Sequence, residues 1–203
     1  LDTVRQHGVR SLVVAQSDPE ARVIFEEKYG FMQEHDPLSP RVGRDNPSEL
    51  MFPDIHSTIR VRSAGGRLGV SRGGNQRNCH LSEVAFFPGN PYELVNGIFQ
   101  GVTDPECMVF MESTGNGQAG LFYETVLEAW NAKQARDKGE IPERATDWEA
   151  IFFAWYMREE AEQGRPFESE AAKHAFIISM RDDEKLIQDE FQLNFEQMHL
   201  YRW

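Results

Sequence analysis

Two short stretches of this chain place reactive side chains directly after apolar runs. Residues 78–88 read NCHLSEVAFFP and break at Ser82-Glu83; residues 107–120 read CMVFMESTGNGQAG and break at Glu112-Ser113-Thr114-Gly115. A carboxylate at a strand end can polarise an attacking water or hold a magnesium-bound water, which is what phosphoryl transfer to water needs. The hydroxyls and amide of Ser113-Thr114-Gly115-Asn116-Gly117 could sense a terminal phosphate. Arg72-Gly73 sets an arginine in a Gly-rich loop, and its guanidinium, a rigid and always-charged fork, could reach a phosphate. Each has a plainer reading: Glu83 as a cap for the segment after it, Ser113 to Gly117 as a turn into the next helix, Arg72 as a solvated loop residue. His80, on an apolar strand, reads as a satisfied core histidine; His7, His35, His56, His174 and His199 show no metal-ligand spacing.

Elements that would position these residues are legible on both sides. Residues 1–8 look like a helix tail ended by Gly8, and 10–16 (RSLVVAQ) a buried strand. Ser17, Asp18 and Pro19 then start a helix running to Gly30, a strand-to-helix step of a layered α/β fold. A Pro- and Asp-rich loop spans 35–46, and 49–52 and 57–63 alternate as exposed or edge strands, followed by a Gly-rich turn and 68–71. After the central strand, Asn90 caps a helix over 91–100, residues 107–112 read as a second buried strand, and 121–133 as an amphipathic helix with Leu121, Phe122, Val126, Ala129 and Trp130 on its apolar face. An aromatic strand-like run covers 148–156, and helices over 183–191 and, capped by Asn194, 195–203 close the chain. In open parallel sheets ligands sit beyond the carboxyl ends of the strands, so two apolar strands delivering Glu83 and Ser113-Thr114 to one edge define a candidate site.

Composition narrows the classes. The chain has 203 residues, 40% hydrophobic and 11% aromatic, enough for a core in one large domain or two small ones. The longest apolar run, 150–157, is too short to cross a bilayer, and no basic-then-apolar leader is seen, so membrane association is not expected. Cys79 and Cys107 each lie in a strand-like run and read as buried reduced thiols. A net charge of −12 argues against a generic nucleic-acid binder. Yet residues 55–82 carry Arg60, Arg62, Arg67, Arg72 and Arg77 and no acid, so one face could meet an anion.

The ordered series VVAQSDPEARVIFE, SRGGNQRNCHLSEVAFFP, MESTGNGQAGLFYETVLEAW, EAIFFAWYMREE and NFEQMHLYRW resembles the ATPase domain of the large terminase subunit, the DNA-packaging motor of tailed bacteriophages, over nearly the whole chain. The resemblance implies a P-loop NTPase-like (ASCE, RecA-like) layered αβα fold with a mostly parallel sheet, here without its first strand and P-loop. It implies a partial ATPase domain over 1–180 and a helical segment over 181–203 leading towards a nuclease domain. Leu81-Ser82-Glu83 falls on the Walker B motif, making Glu83 the catalytic carboxylate and Ser82 with Glu83 the residues that meet Mg2+ through its bound water. Ser113, Thr114 and Gly115 fall on the coupling motif, and Arg72 on an arginine that acts on a neighbouring subunit's ATP. Implied with these are ATP as cofactor; double-stranded DNA, a portal protein, a small terminase subunit and a homo-oligomeric ring as partners; and action in the host cytoplasm at the procapsid portal.

Two departures accompany the resemblance. Ser82 stands where the Walker B motif usually has Asp, and a hydroxyl holds a magnesium-bound water more weakly. No G-x-x-x-x-G-K-[ST] occurs, nor any Gly-Lys dipeptide, so the 203 residues are expected to bind ATP weakly, not to turn it over, and to present an open sheet edge. Two other readings stay open. Gly115, Gly117 and Gly120 match G-x-G-x-x-G between a strand and a helix, the fingerprint of a Rossmann-type dinucleotide-binding domain, although Glu112-Ser113-Thr114 separates strand from glycine. A non-catalytic DNA-contact module would be favoured by a Glu83 buried and capped away from the sheet edge.

Overall fold

The computed structural model describes residues 2–46, 48–66, 75–102, 106–158, 161 and 163–202; Arg67, Arg72 and the run 68–71 lie outside them. The chain forms two compact units, Leu1–Glu149 and Ala150–Trp203.

The first unit is built on β1 (Arg10–Ala15). Its apolar run supplies both faces of a sheet: Leu12 and Val14 join Cys79, Leu81, Val84, Phe87, Val95 and Ile98 on one side, and Val13 joins Phe25, Leu50, Phe52, Ile59 and Val61 on the other. A strand covered on both faces must be central. The sheet order is β2-β3-β4-β1-β5-β6, with β2 (Arg44–Asn46), β3 (Glu49–Phe52), β4 (Ser57–Ser63), β5 (Asn78–Ser82) and β6 (Met108–Glu112). β4, β1, β5 and β6 are mutually parallel, and β2 and β3 add an antiparallel flank. The α/β fold with a mostly parallel sheet is therefore as expected.

Helices fill the faces. A short α1 (Asp2–Arg5) precedes Gly8, whose φ of 73° lets the chain turn into β1. In α2 (Asp18–Val23) Ser17 caps the helix by accepting from the Glu20 N–H. Helical backbone continues through a π-type stretch, Ile24–Gly30, into α3 (Phe31–His35). Gly30, expected as a stop, keeps a helical φ of −60° because nothing there demands a left-handed residue. Asn90 Oδ1 accepts from the N–H groups of Tyr92 (3.1 Å) and Glu93 (3.4 Å) to start α4 (Pro91–Phe99), and α5 (Leu121–Asp137) follows β6.

Several expectations are corrected. β4 is not an edge strand: it sits between β3 and β1 with Ser57, Ile59, Val61 and Ser63 buried. β6 is not a buried strand but the edge, with Met108 47% and Phe110 57% exposed, and Cys107 just before it is exposed while Cys79 is buried. Strand order makes β6 the edge, and alternation sets its faces: Val109 and Met111 pack on the core, so Met108 and Phe110 face the other way. On α5 the buried positions are Ala129 and Ala132, with Leu121 and Phe122 against the core and Val126 and Trp130 exposed. The run 148–156 forms no strand; only a 3-10 turn at Trp155–Met157 is regular, and Ile151, Phe152 and Phe153 are exposed. A strand needs a neighbour for its backbone hydrogen bonds, and among the described residues none pairs with this run.

The second unit contains α6 (Glu170–Ile178), α7 (Asp182–Phe191) and α8 (Phe195–Arg202). Phe176, Met180, Leu193 and Met198 form its core. Residues before and after 180 thus share one cluster. Asn194 Oδ1 accepts from the Gln197 N–H at 2.7 Å while Gln197 Oε1 accepts from the Asn194 N–H, a reciprocal cap for α8. Glu184, 1% exposed, is met by Arg202 from α8 and by the Arg181 N–H.

Candidate functional site

The site is where β5 and β6 end. They pair in parallel with Ser82 opposite Glu112, so both chains leave the sheet at the same carboxyl edge. After Ser82 the next residue, Glu83, adopts a left-handed conformation (φ 59°, ψ 46°). For a non-glycine residue that costs about 1 kcal/mol, and such conformations persist where surrounding structure holds them. A short 3-10 turn, Val84–Phe86, follows, with Val84 buried in the core as its anchor.

The left-handed turn swings the Glu83 carboxylate onto the end of β6. Its Oε2 accepts hydrogen bonds from Ser113 Oγ at 3.1 Å, from the Thr114 N–H at 3.1 Å and from Thr114 Oγ1 at 3.2 Å. Ser113 Oγ itself accepts from the Ala85 N–H at 3.2 Å, and Asn116 Nδ2 donates to the Ala85 carbonyl at 2.9 Å. Glu83 is half-buried and Thr114 exposed, so the carboxylate is held at the rim of the sheet and open to solvent on one side. A carboxylate fixed this way can accept a proton from a water placed before it.

Beside it lies Glu112. Its carboxyl is held below the usual carboxylate range, chiefly by its hydrogen bond with His80 (Nε2 to Oε1, 3.3 Å), with burial opposing, and further by the Ser82 hydroxyl and the Glu83 N–H. His80 is therefore not a core histidine; it is a half-exposed partner of an acid on the neighbouring strand. Ser82 is buried. Burial pushes the Cys79 thiol up to about 12, with Cys107 adding to the rise, which keeps Cys79 an inert packing residue.

Of the residues singled out in sequence, the fold brings Ser82, Glu83, Ser113 and Thr114 together. Gly115 follows in an exposed loop where an added Cβ would meet nothing within 4 Å. Arg72 lies outside the described residues. Arg60 pairs with Glu49 at 3.2 Å, Arg62 donates to the carbonyls of Ser48 and Val61, and Arg77 pairs with Glu106. The pairing of His80 with Glu112 was not legible in sequence, because it depends on the register of β5 against β6. Among the described residues no group of three or more His, Cys, Asp or Glu is placed to hold a metal by itself.

The dinucleotide fingerprint fares poorly against this geometry. That motif calls for glycines where backbone, phosphate and sheet approach closely. Here the preceding strand, β6, is at the edge of the described sheet and ends at Glu112, with Ser113 and Thr114 between it and Gly115. Gly117 and Gly120 are explained by their φ of 80° and 89°. Nor is Glu83 capped away from the edge, as a purely structural module would have it.

No protein-family profile and no curated protein matches the chain. Solved structures do. The large terminase ATPase domain of Thermus phage P74-26 superposes with a TM-score of 0.58 over 90% of this chain and 76% of that one, at 19% identity. A mutant of the same domain gives 0.52 over 88% and 74%, at 18% identity. The large terminase of a thermophilic bacteriophage gives 0.50 over 95% of this chain at 12% identity, and this chain spans 40% of it. The chain has the fold of phage large-terminase ATPase domains.

Proposed function

We propose that this chain is the ATPase part of a viral DNA-packaging motor, coupling ATP hydrolysis to movement of double-stranded DNA into a procapsid. The observation that carries the reading is the grip of Ser113 and Thr114 on Glu83 at the carboxyl edge of a parallel sheet. In the proposed role Glu83, in a Walker B position, accepts the proton of the attacking water. Ser113-Thr114-Gly115 links that carboxylate to the helix α5 that follows, so a change at Glu83 is transmitted to the rest of the unit. Arg72 acts on the ATP of a neighbouring copy in a homo-oligomeric ring, and a portal protein and a small terminase subunit are the partners, in the host cytoplasm.

The donor set suits part of a Mg2+–ATP site. Ser82 and Glu83 would meet Mg2+ through its bound water, which supplies charge neutralisation for the phosphates when bound. The phosphate cradle is another matter: the sequence contains no Gly-Lys dipeptide, and backbone amides with a lysine carry most of the affinity for the β- and γ-phosphates. The 203 residues alone are therefore expected to be inactive. The open edge of β6, which pairs with β5 alone among the described residues, supports the reading that a further strand completes the sheet beside the site.

The test is ATP hydrolysis after joining an upstream strand and P-loop to this chain. Activity should appear, fall by about 10²- to 10⁴-fold with Glu83→Gln, and lose its dependence on protein concentration with Arg72→Ala. Absence of activity, or a silent Glu83→Gln, would sink the assignment.

A further inference from the structure

In the turn that follows β5, Ala85 has both of its backbone groups bonded to the loop that follows β6. Within the turn the Glu83 carbonyl accepts from the Phe86 N–H at 2.9 Å, and the Val84 carbonyl accepts from the Phe87 N–H at 3.1 Å. Val84 and Phe87 are anchored in the core. Ala85 is served from outside the turn: its N–H donates to Ser113 Oγ at 3.2 Å, and its carbonyl accepts from Asn116 Nδ2 at 2.9 Å. Ser113 Oγ donates in turn to Glu83 Oε2 at 3.1 Å, so the hydroxyl that takes the Ala85 N–H also holds the carboxylate.

From this geometry we infer that Asn116 is a positioning residue for Glu83: its carboxamide donates to the Ala85 carbonyl and so docks the turn from Glu83 to Phe86 on the loop after β6, keeping the Glu83 carboxylate within reach of Ser113 and Thr114. The inference rests on the proposed role of Glu83. A left-handed Glu is disfavoured on its own and persists where its surroundings hold it. Ser113 and Thr114 tie the end of its side chain, whereas Asn116 ties the backbone two residues further on. Carboxylate and turn are thereby fixed to one four-residue segment, Ser113 to Asn116. Only the nitrogen end of an amide can serve a carbonyl, so an Asp of the same shape would set an acceptor against an acceptor. The amide that could have sensed a terminal phosphate thus directs a donor at the protein's own turn. Asn116 touches no reacting atom; it acts through Ala85.

Two readouts separate this from general stabilisation. Asn116→Asp keeps the side chain's shape and removes the donor. In the ¹⁵N-labelled 203-residue chain it should speed hydrogen exchange of the Ala85 and Thr114 amides, which are bonded to Ser113 Oγ and Glu83 Oε2 and not to Asn116 itself. The expected factor is about 3- to 10-fold, that of one lost neutral hydrogen bond, with the Leu81 amide in mid-strand unchanged. In the chain completed with a P-loop, Asn116→Asp should lower kcat by about 3- to 10-fold with the KM for ATP within about twofold. Wild-type exchange at Ala85 and Thr114 in Asn116→Asp overturns the inference. So does an unchanged kcat in a protein that Glu83→Gln inactivates, and a raised KM with kcat kept would return Asn116 to phosphate binding. If Glu83→Gln is itself silent, the proposed function fails, and the exchange experiment alone decides whether Asn116 holds the turn.

Discussion

Glu83 and Thr114, 31 residues apart in sequence, are joined by two hydrogen bonds: Glu83 Oε2 accepts from the Thr114 N–H at 3.1 Å and from its hydroxyl at 3.2 Å. Thr114→Val removes the hydroxyl and keeps the shape. In the P-loop-completed chain it should lower kcat by about 5- to 20-fold. In a double-mutant cycle with Glu83→Gln the two losses should be markedly non-additive, since both act on one contact. Additive losses would mean that the contact does not contribute to the rate.

Glu184 gives the second unit an acid-sensitive joint. Its carboxyl is held down to about 2, first by its hydrogen bond with Arg202 and further by the Arg181 N–H, against the cost of burial. A carboxyl depressed in the folded state stabilises above its unfolded pKa of about 4.3 and loses that contribution as pH falls from there towards 2. Thermal unfolding of this unit should therefore weaken from about pH 5 downward. Arg202→Ala, which strands the buried carboxylate, should cost about 3 kcal/mol at pH 7 and flatten the dependence between pH 5 and 2. An unaltered pH profile in that variant would refute it.

Thiol reactivity separates the two cysteines. Cys79 is buried in the core with its thiol pushed up to about 12, whereas Cys107 is exposed. A thiol reagent at pH 8 should label Cys107 rapidly and Cys79 only after unfolding. Labelling is read by mass, and fast modification of both in the native chain would contradict the placement of β5.

The open edge of β6 should make the chain prone to self-association. Phe110 and Met108 are exposed on a strand whose outer backbone groups have no partner strand among the described residues. Phe110→Lys should shift the chain towards monomer in light scattering, since charge on an edge strand opposes pairing. An unchanged mass distribution would show that association uses another surface.

At Asn90 the helix α4 depends on a side-chain cap. Asn90→Ala should cost about 1 kcal/mol in a denaturant titration, and Asn90→Asp almost nothing.

Much of the first unit is written in local patterns. The β-branched run of β1, the Ser17 and Asn90 caps and the apolar runs that end at Ser82 and Glu112 are short-range signals, because capping and burial act within a few residues. The polar breaks that mark Glu83 and Ser113-Thr114 are of the same kind. What the sequence by itself determined was therefore which residues stand at strand ends and which strands are apolar. Pairing decided the rest. Only the strand order made β6 an edge and β4 an interior strand, exposing Cys107 and Phe110. Only the β5–β6 register brought His80 and Ser82 to Glu112. The left-handed turn that carries Glu83 onto Thr114 has no local signature, since a glutamate does not favour it; contacts contributed from another strand hold it there.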